Sequence, residues 1–421
     1  MATWQQPPFI LPGFNGPIAI PFQALGNSTL PFATTGSAFL NLTATASSNA
    51  PAGTPAIYPT VTTYRYLFAD LLTNQIIAEL PLTGVNFTQQ LNSIGTLTGH
   101  LLLSGVNSVA MNVSASTIPG RTAIYVDRDG SLVWGGIIWA RDFTSNDQKL
   151  SITAREFESY FEKRVITTTS VFSNVDQLLV ARTLINNAQA VSGGNIGVSV
   201  GTETSGVLIS KTYYSYELKS VYSALQDLSK SNNGFDFNID IAYVDGVPTK
   251  TLELGYPRYG KTYSSTSISQ PVVELPGNMI QYEYPEDGTT TANYVYAIGA
   301  GSNEGKLIAT AIDGTKIAAG WPILETVTNY SDQTDGTLLA NFATGQVAAV
   351  SSPPVTIRVV IPTYTDPIFG TYEVGDDIRV RITDDRFPTG LDTYYRLVAY
   401  NVLVGETGPE QVTLTLSVAN Y

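Results

Sequence analysis

Residues 125–143, YVDRDGSLVWGGIIWARDF, alternate apolar and polar side chains on both sides of Asp129–Gly130. A period of two sends successive side chains to opposite faces of a sheet. Asp-Gly between two such runs is the strongest short-range hairpin signal, because the tight turn needs positive φ at both central positions. The stretch therefore predicts strand, turn, strand. Gly135–Gly136 inside the second run predict a bulge or sharp bend. The flanks continue the pattern. TTYRYLFADLLTNQIIAELPL reads as a hairpin cornering at Thr73–Asn74, and VNFTQQ, TLTGHLLL and KLSIT read as further short strands. The meander ends in TAREFESYFEKR, where Thr153 and Glu156 have the spacing of a helix capping box. Phe157, Tyr160 and Phe161 follow at helical spacing. Residues 61–165 are thus expected to form an antiparallel sheet or barrel closed by one helix.

The rest of the chain divides in two. Residues 166–270 carry two amphipathic patterns. One runs from about Val175 to Ala190 with the stripe Leu178, Leu179, Ala181, Leu184, Ile185 and Ala188. The other shows Leu218, Val221, Tyr222, Leu225 and Leu228, with Gly234 just past its end as a stop. Two strands around Asp245–Gly246 complete an α+β insertion. Residues 271–421 return to strands, with a helix over TDGTLLANFATGQVAAV weakened by Gly336 and Gly345. Ile378, Val380, Ile382 and Val412, Leu414, Leu416 alternate cleanly. A chain of 421 residues exceeds a single ordinary core. The expected class is β-rich α+β, with a β-meander at each end and a helical module between.

Composition narrows the chemistry. There are no cysteines and one histidine, His100, so disulfides, thiolate catalysis, cysteine zinc sites and His-paired nucleophiles are excluded or nearly so. Charged residues are 14% of the chain and the net charge is −13, which gives phosphate backbones no footing. Asp127-Arg-Asp129-Gly130 resembles the start of a calcium loop, but the twelfth position is Ile138 rather than glutamate, so the acidic turn reads as a sheet corner. Asp376, Asp377, Asp384 and Asp385 flank IRVRIT and read as strand-end solvation rather than a glycosidase pair. GAGSNEG at 299–305 lacks the Lys-Ser/Thr of a phosphate loop. No cofactor or metal is expected. No apolar run reaches the ~18 residues of a membrane span, and no basic leader precedes one. Residues 1–60 contain no charge, yet carry Trp4, Phe9, Ile10, Phe14, Ile18, Phe22 and Phe32. Such an arm is expected to lie on a neighbouring subunit.

The order meander, YVDRDGSLVWGGIIW, REFESYFEKRVI, and later NYVYAIGAG, YEVGDDIRVRI and YRLVAYNVLVGETGPEQVTLTLS resembles the tail hub proteins of long-tailed phages, especially the minor tail proteins of actinobacteriophages. The likeness spans about residues 61–421; the neutral arm departs from the usual hub start. It implies two tube-like antiparallel β-barrel domains, at 61–165 and 271–421, with the α+β insertion at 166–270. It implies a homotrimer that joins a hexameric tail ring to a three-fold tip at the end of the DNA channel. The implied partners are the distal tail protein, the tape measure protein, other tail-tip proteins and the host envelope, with no stable hold on nucleic acid. Many relatives end in a peptidase or lysozyme domain; this chain stops at its last strand, so none is expected. Asp129, Gly130, Gly135, Gly136, Thr153 and Glu156 are expected to be structural. Asp376, Asp377, Asp384 and Asp385 are expected to face the lumen and repel passing DNA. Two other readings stand beside this one: a carboxylate-dependent hydrolase of cell-wall glycan, and a carbohydrate-binding surface built from some of the 24 tyrosines.

Overall fold

A computed structural model describes residues 62–105, 111–267, 269–352, 356–405 and 410–418, together with two short strands nearer the start of the chain. The chain divides into two units, Met1–Pro59 and Thr60–Tyr421. In the first, Thr29–Ala33 pairs antiparallel with Phe39–Thr43. The remainder of the expected neutral arm lies outside the described residues.

The second unit is built on one sheet of thirteen strands. Its main path runs Gln281–Glu283, Thr356–Pro362, Gln411–Val418, Leu391–Leu403, Thr83–Gln90, Thr96–Leu102, Lys149–Glu156, Ser131–Thr144, Thr122–Arg128, Tyr64–Asp70, Ile76–Glu79. Off that path Asp377–Ile382 pairs with the first half of Leu391–Leu403, and Val272–Leu275 pairs with Asp377–Ile382. The long strand Leu391–Leu403 is the hub of the sheet. Its end, Ala399–Leu403, pairs with Asn86–Gln90 and so joins the first β-region to the last.

The β-rich class is as expected, while the two barrels are not confirmed. The path has free ends, and no closed barrel is found among the described residues. The alternating apolar rows of the two meanders face each other and make one core. Phe68, Phe87, Leu97, Ile124, Val126, Trp134 and Ile152 from the first pack with Ile357, Val359, Ile378, Val380, Leu397, Val412 and Leu414 from the last. Burying such rows is the main force that fixes which face of each strand turns inward.

The other face of the first meander carries a second core. Leu67, Ala69, Tyr125, Ile137, Phe157 and Phe161 meet the insertion there. Helix Gln177–Ala190 starts at Asp176, whose Oδ1 accepts from the Leu178 N–H at 2.9 Å. Its stripe is Leu178, Ala181, Leu184, Ile185 and Ala188, while Leu179 stands in solvent. Helix Val221–Ser229 is capped by Ser220. Leu218 precedes it with φ 47° and is exposed, so it does not belong to the helical stripe. Gly234 lies beyond the helix end, where a Cβ would strike the Ser229 carbonyl. Strands Asp236–Val244 and Val247–Gly255 meet at Asp245–Gly246, both with positive φ.

A third, smaller layer lies within the last region. Tyr294–Ile298 is flanked by Ile308–Ile312 and Glu325–Asn329, and helix Gly336–Val350 covers one face. Gly345 is where this helix touches the insertion, since a Cβ there would meet backbone atoms of Lys230, Ser231 and Asn232. The Asn232 N–H donates to the Asn341 carbonyl nearby. Lys219 ties the same two parts, 2.7 Å from Asp227 and 3.0 Å from Asp332.

Candidate functional site

The first meander, the insertion and the last β-region meet at one largely buried polar joint. The loop after Thr83–Gln90 supplies Asn92, in left-handed conformation with φ 56°. Its Nδ2 donates to Asp236 Oδ1 at 2.6 Å and its Oδ1 accepts from the Phe237 N–H at 2.7 Å. Asp236 Oδ2 accepts from the Tyr259 N–H at 2.9 Å and pairs with Arg396. Arg396 also donates to the Tyr259 carbonyl at 2.7 Å and the Gly375 carbonyl at 3.2 Å. Arg258 donates to Asp377 Oδ1 at 2.8 Å and to the Gly375 carbonyl at 2.5 Å. Two glycines permit this approach. A Cβ on Gly260, φ 89°, would overlap the backbone of Gly375, and a Cβ on Gly375, φ 96°, would press into the Tyr259 carbonyl.

The joint also holds two of the expected lumen carboxylates. Asp376 is 1% exposed and Asp377 is 0% exposed. Asp376 accepts from the Lys261 N–H at 2.6 Å and the Glu373 N–H at 3.2 Å, and Asp377 accepts from Arg258 and the Tyr263 N–H. The lumen expectation is therefore wrong for both. Buried carboxylates must be hydrogen-bonded or paired, and these fasten the insertion to the last β-region. Asp384 is half-buried. It accepts from the Tyr282 hydroxyl at 2.6 Å and from the N–H groups of Arg386 and Phe387. Asp385 is exposed.

Beside Asn92 lie two buried glutamates. Thr153 and Glu156 are not a capping box: strand Lys149–Glu156 runs through both, and the helix is the short turn Glu158–Glu162. Leu150, Ile152 and Ala154 face inward, and the same alternation carries Glu156 into the interior. Glu156 accepts from the Gly95 N–H. Glu158 Oε1 accepts from the Ile239 N–H at 2.6 Å, and its Oε2 is buried with no hydrogen-bond partner among the described residues. Burial pushes the Glu158 carboxyl up to about 7. Burial, and then the charge of Glu158, hold Glu156 well above the usual carboxylate range. Lys250 is buried on the same side, 1% exposed, with its ammonium 4.8 Å from the Phe157 ring centre and donating to Asn74 Oδ1 at 3.1 Å. Burial lowers it to about 8.

The hairpin residues act locally. Asp129 and Gly130 take φ 53° and 87°, and Asp129 Oδ1 accepts from the Thr63 N–H at 2.8 Å. Gly135 and Gly136 hold regular register opposite Tyr125 and Ile124; the register shifts fall on either side of them, between Val126 and Asp127 and between Ile138 and Ala140. They are glycines because a Cβ on Gly135 would meet Phe157 at 2.9 Å and Tyr125 at 3.0 Å, and one on Gly136 the Arg155 carbonyl.

Chemically the joint is a fastener. Its carboxylates are taken up by backbone N–H groups and arginines, and no group of acidic, histidine or cysteine side chains suited to a metal is found among the described residues. A cavity of about 220 Å³ beside Arg164, Thr168, Leu184 and Asn187 has no acidic residue in its lining, and one of about 200 Å³ beside Ile77, Ser116 and Arg121 has only Asp70. Neither offers the two carboxylates that glycan hydrolysis requires. Glu158, Asp236, Arg258 and Arg396 were not singled out by the sequence. Their partners lie tens to hundreds of residues away, so no local pattern marks them.

No family model matches the chain, and no curated protein matches it. Solved structures do. The tail protein from Neisseria meningitidis MC58 aligns with a TM-score of 0.55 and 13% identity over 84% of this chain and 96% of that one. The prophage MuSo2 43 kDa tail protein from Shewanella oneidensis aligns with a TM-score of 0.54 and 11% identity over 84% and 98%. The half-lidded PdpA-VgrG complex of Francisella aligns with a TM-score of 0.51 and 10% identity over 86% of this chain and 59% of that one. The chain therefore has a fold found in phage tail proteins.

Proposed function

We propose that this chain is a structural, hub-like protein of a phage tail tip. Three copies surround the end of the DNA channel and connect the tail tube to the tip. The observation that carries this reading is the fold likeness to two tail proteins, each matched over almost its whole length. The shared sheet and the fastened joint support it, since a hub must hold several layers in fixed relation without relying on its neighbours. A hydrolase is disfavoured because the two described cavities carry no carboxylate pair. The actinobacteriophage minor tail type, the distal tail and tape measure proteins as partners, and contact with the host envelope remain part of the proposal through the resemblance of sequence order.

DNA passes such a channel without sticking when counterion release gives it nothing to gain, and a chain of net charge −13 meets that condition. Of the four candidate lumen carboxylates, Asp384 and Asp385 remain available for that role. Light scattering on the purified chain tests the assembly. The expected mass is three times the 45.2 kDa protomer. A dimer or tetramer, or a single copy per assembled tail, overturns the reading.

A further inference from the structure

Among the described residues, the three-stranded sheet Ile308–Ile312, Tyr294–Ile298, Glu325–Asn329 is covered on one face only. Ala297, Ala309 and Ala311 lie against Leu339, Phe342 and Ala343 of helix Gly336–Val350. The opposite face presents Ile308, Thr310 and Ile312 from one edge strand, Tyr294, Tyr296 and Ile298 from the centre, and Glu325, Val327 and Asn329 from the other edge. Ile308, Ile312 and Val327 are 56%, 50% and 55% exposed. One charge stands among those nine positions, and it accepts a hydrogen bond from the Tyr296 hydroxyl at 3.0 Å.

Among the described residues both edges are bare. Each pairs only inward, Ile308–Ile312 antiparallel and Glu325–Asn329 parallel to the centre. No other described strand pairs with either on its outer side. Uncovered edge strands are normally blunted by charged side chains, proline, a bulge or shortness. IATAI has no charge, proline or bulge, and ETVTN has only Glu325 at its first position. The two edges also match each other. Each is five residues long, and because one runs against the centre strand and the other with it, they run opposite to each other. Thr310 and Val327 both sit opposite Tyr296, at the middle of their strands and on the same face.

We infer that Ile308–Ile312 of one copy pairs antiparallel with Glu325–Asn329 of the next, a head-to-tail contact that continues the sheet around a closed ring. The occupant is a second copy for two reasons. The chain itself supplies the complementary edge, equal in length and opposite in direction. And a chain of net charge −13 approaches its own copy best where charge is nearly absent, as it is along these two strands. Heterologous contacts of this kind close into rings when the rotation allows. One strand pair of this length buries less than the ~800 Å² per partner of a standard interface, so it acts as the register-setting element of a larger contact. The inference rests on the trimer reading above and assigns it a surface.

The chain has no cysteine, so introduced thiols report cleanly. Three double variants span the register: T310C with E325C, with V327C or with N329C. Oxidation of one of them is expected to link protomers covalently into closed trimers, while T310C alone and V327C alone give no covalent dimer. Light scattering of the unmodified chain runs beside it. A trimer in which none of the three pairs cross-links overturns this inference and leaves the trimer standing. Cross-linking of T310C alone also overturns it, since that reports an edge paired with itself. A chain that is monomeric and never cross-links brings down both. The exposed variant T310K guards against a misleading thiol result: it is expected to fold with unchanged circular dichroism and weaken the trimer at least tenfold, and an unweakened trimer refutes the pairing.

Discussion

Replacing Glu158 by glutamine tests the joint most directly. The carboxyl is 3% exposed, with one oxygen on the Ile239 N–H and the other without a partner. Its folded value of about 7 stands above the ordinary 4.5. Below about pH 4.5 both folded and unfolded chains hold the proton, and burial of the group costs little. As pH rises from there the unfolded chain releases the proton while the folded chain retains it, so stability falls with pH. The fall ends near pH 7, where the folded carboxyl also ionises. A gap of about 2.5 units corresponds to roughly 3 kcal/mol at 1.36 kcal/mol per unit. Glu156 adds a fall of the same sign, because it too is raised. Glutamine keeps the acceptor for Ile239 and cannot ionise. Urea unfolding followed by tryptophan fluorescence suits the measurement, because the Trp139 indole N–H donates to Ser159, next to the glutamate. The expected result is a wild-type stability that declines between pH 5 and pH 8, and a Glu158→Gln chain that declines less and is more stable at pH 8 by about 1–3 kcal/mol. A wild-type profile that is flat or rises over this range refutes the reasoning, as does a variant that is less stable than wild type at pH 8.

Three further outcomes follow from the same geometry. Lys250→Met should stabilise the chain at pH 7; in wild type, stability should rise with pH between about 8 and 10.5 as the buried ammonium loses its proton, and the variant's profile should lack that rise. Gly260→Ala should cost more than the ~1–3 kcal/mol of ordinary overpacking, because the methyl group meets backbone rather than a movable side chain, and thermal melting measures it. Asp377→Lys should abolish soluble folded protein, whereas Asp385→Lys should fold normally and slow genome ejection in low salt more than in high salt; equal ejection in both salts removes Asp385 from the channel.

The hairpins were legible because their determinants are local. Asp129–Gly130, Asp245–Gly246 and Thr73–Asn74 each place a residue tolerant of positive φ between alternating runs. The helix at 177–190 is legible from its stripe, although the pattern includes Leu179, which stands a quarter turn away and is exposed. Thr153-x-x-Glu156 misled because a capping box and a strand ending in a buried glutamate share the same letters. The alternation of Leu150, Ile152 and Ala154 was the signal that decided between them. Asp376 and Asp377 misled because a carboxylate next to a strand usually faces water. Their partners, Arg258, Lys261 and Tyr263, lie 114 to 119 residues earlier in the chain, beyond the reach of any local pattern. The single shared sheet was illegible for a related reason. Each meander alternates as a barrel would, and nothing in either one says that its apolar face is completed by the other.

That completion has a consequence for how the protein is made. Asn86 and Asn401 exchange hydrogen bonds between their side-chain amides across 315 residues of chain. The strand Thr83–Gln90 leaves the ribosome early, and its neighbour Leu391–Leu403 arrives almost last. Until then one edge of the first meander, with Val85 and Phe87 beside it, has no cover. At synthesis rates of about 5–20 residues per second that interval lasts on the order of 15 to 60 seconds. Contacts so distant in sequence also make folding slow once the chain is complete. The nascent protein therefore passes through a period in which it is prone to pair with the wrong strand, and its yield in a host should depend more on chaperone capacity than on the stability of the finished fold.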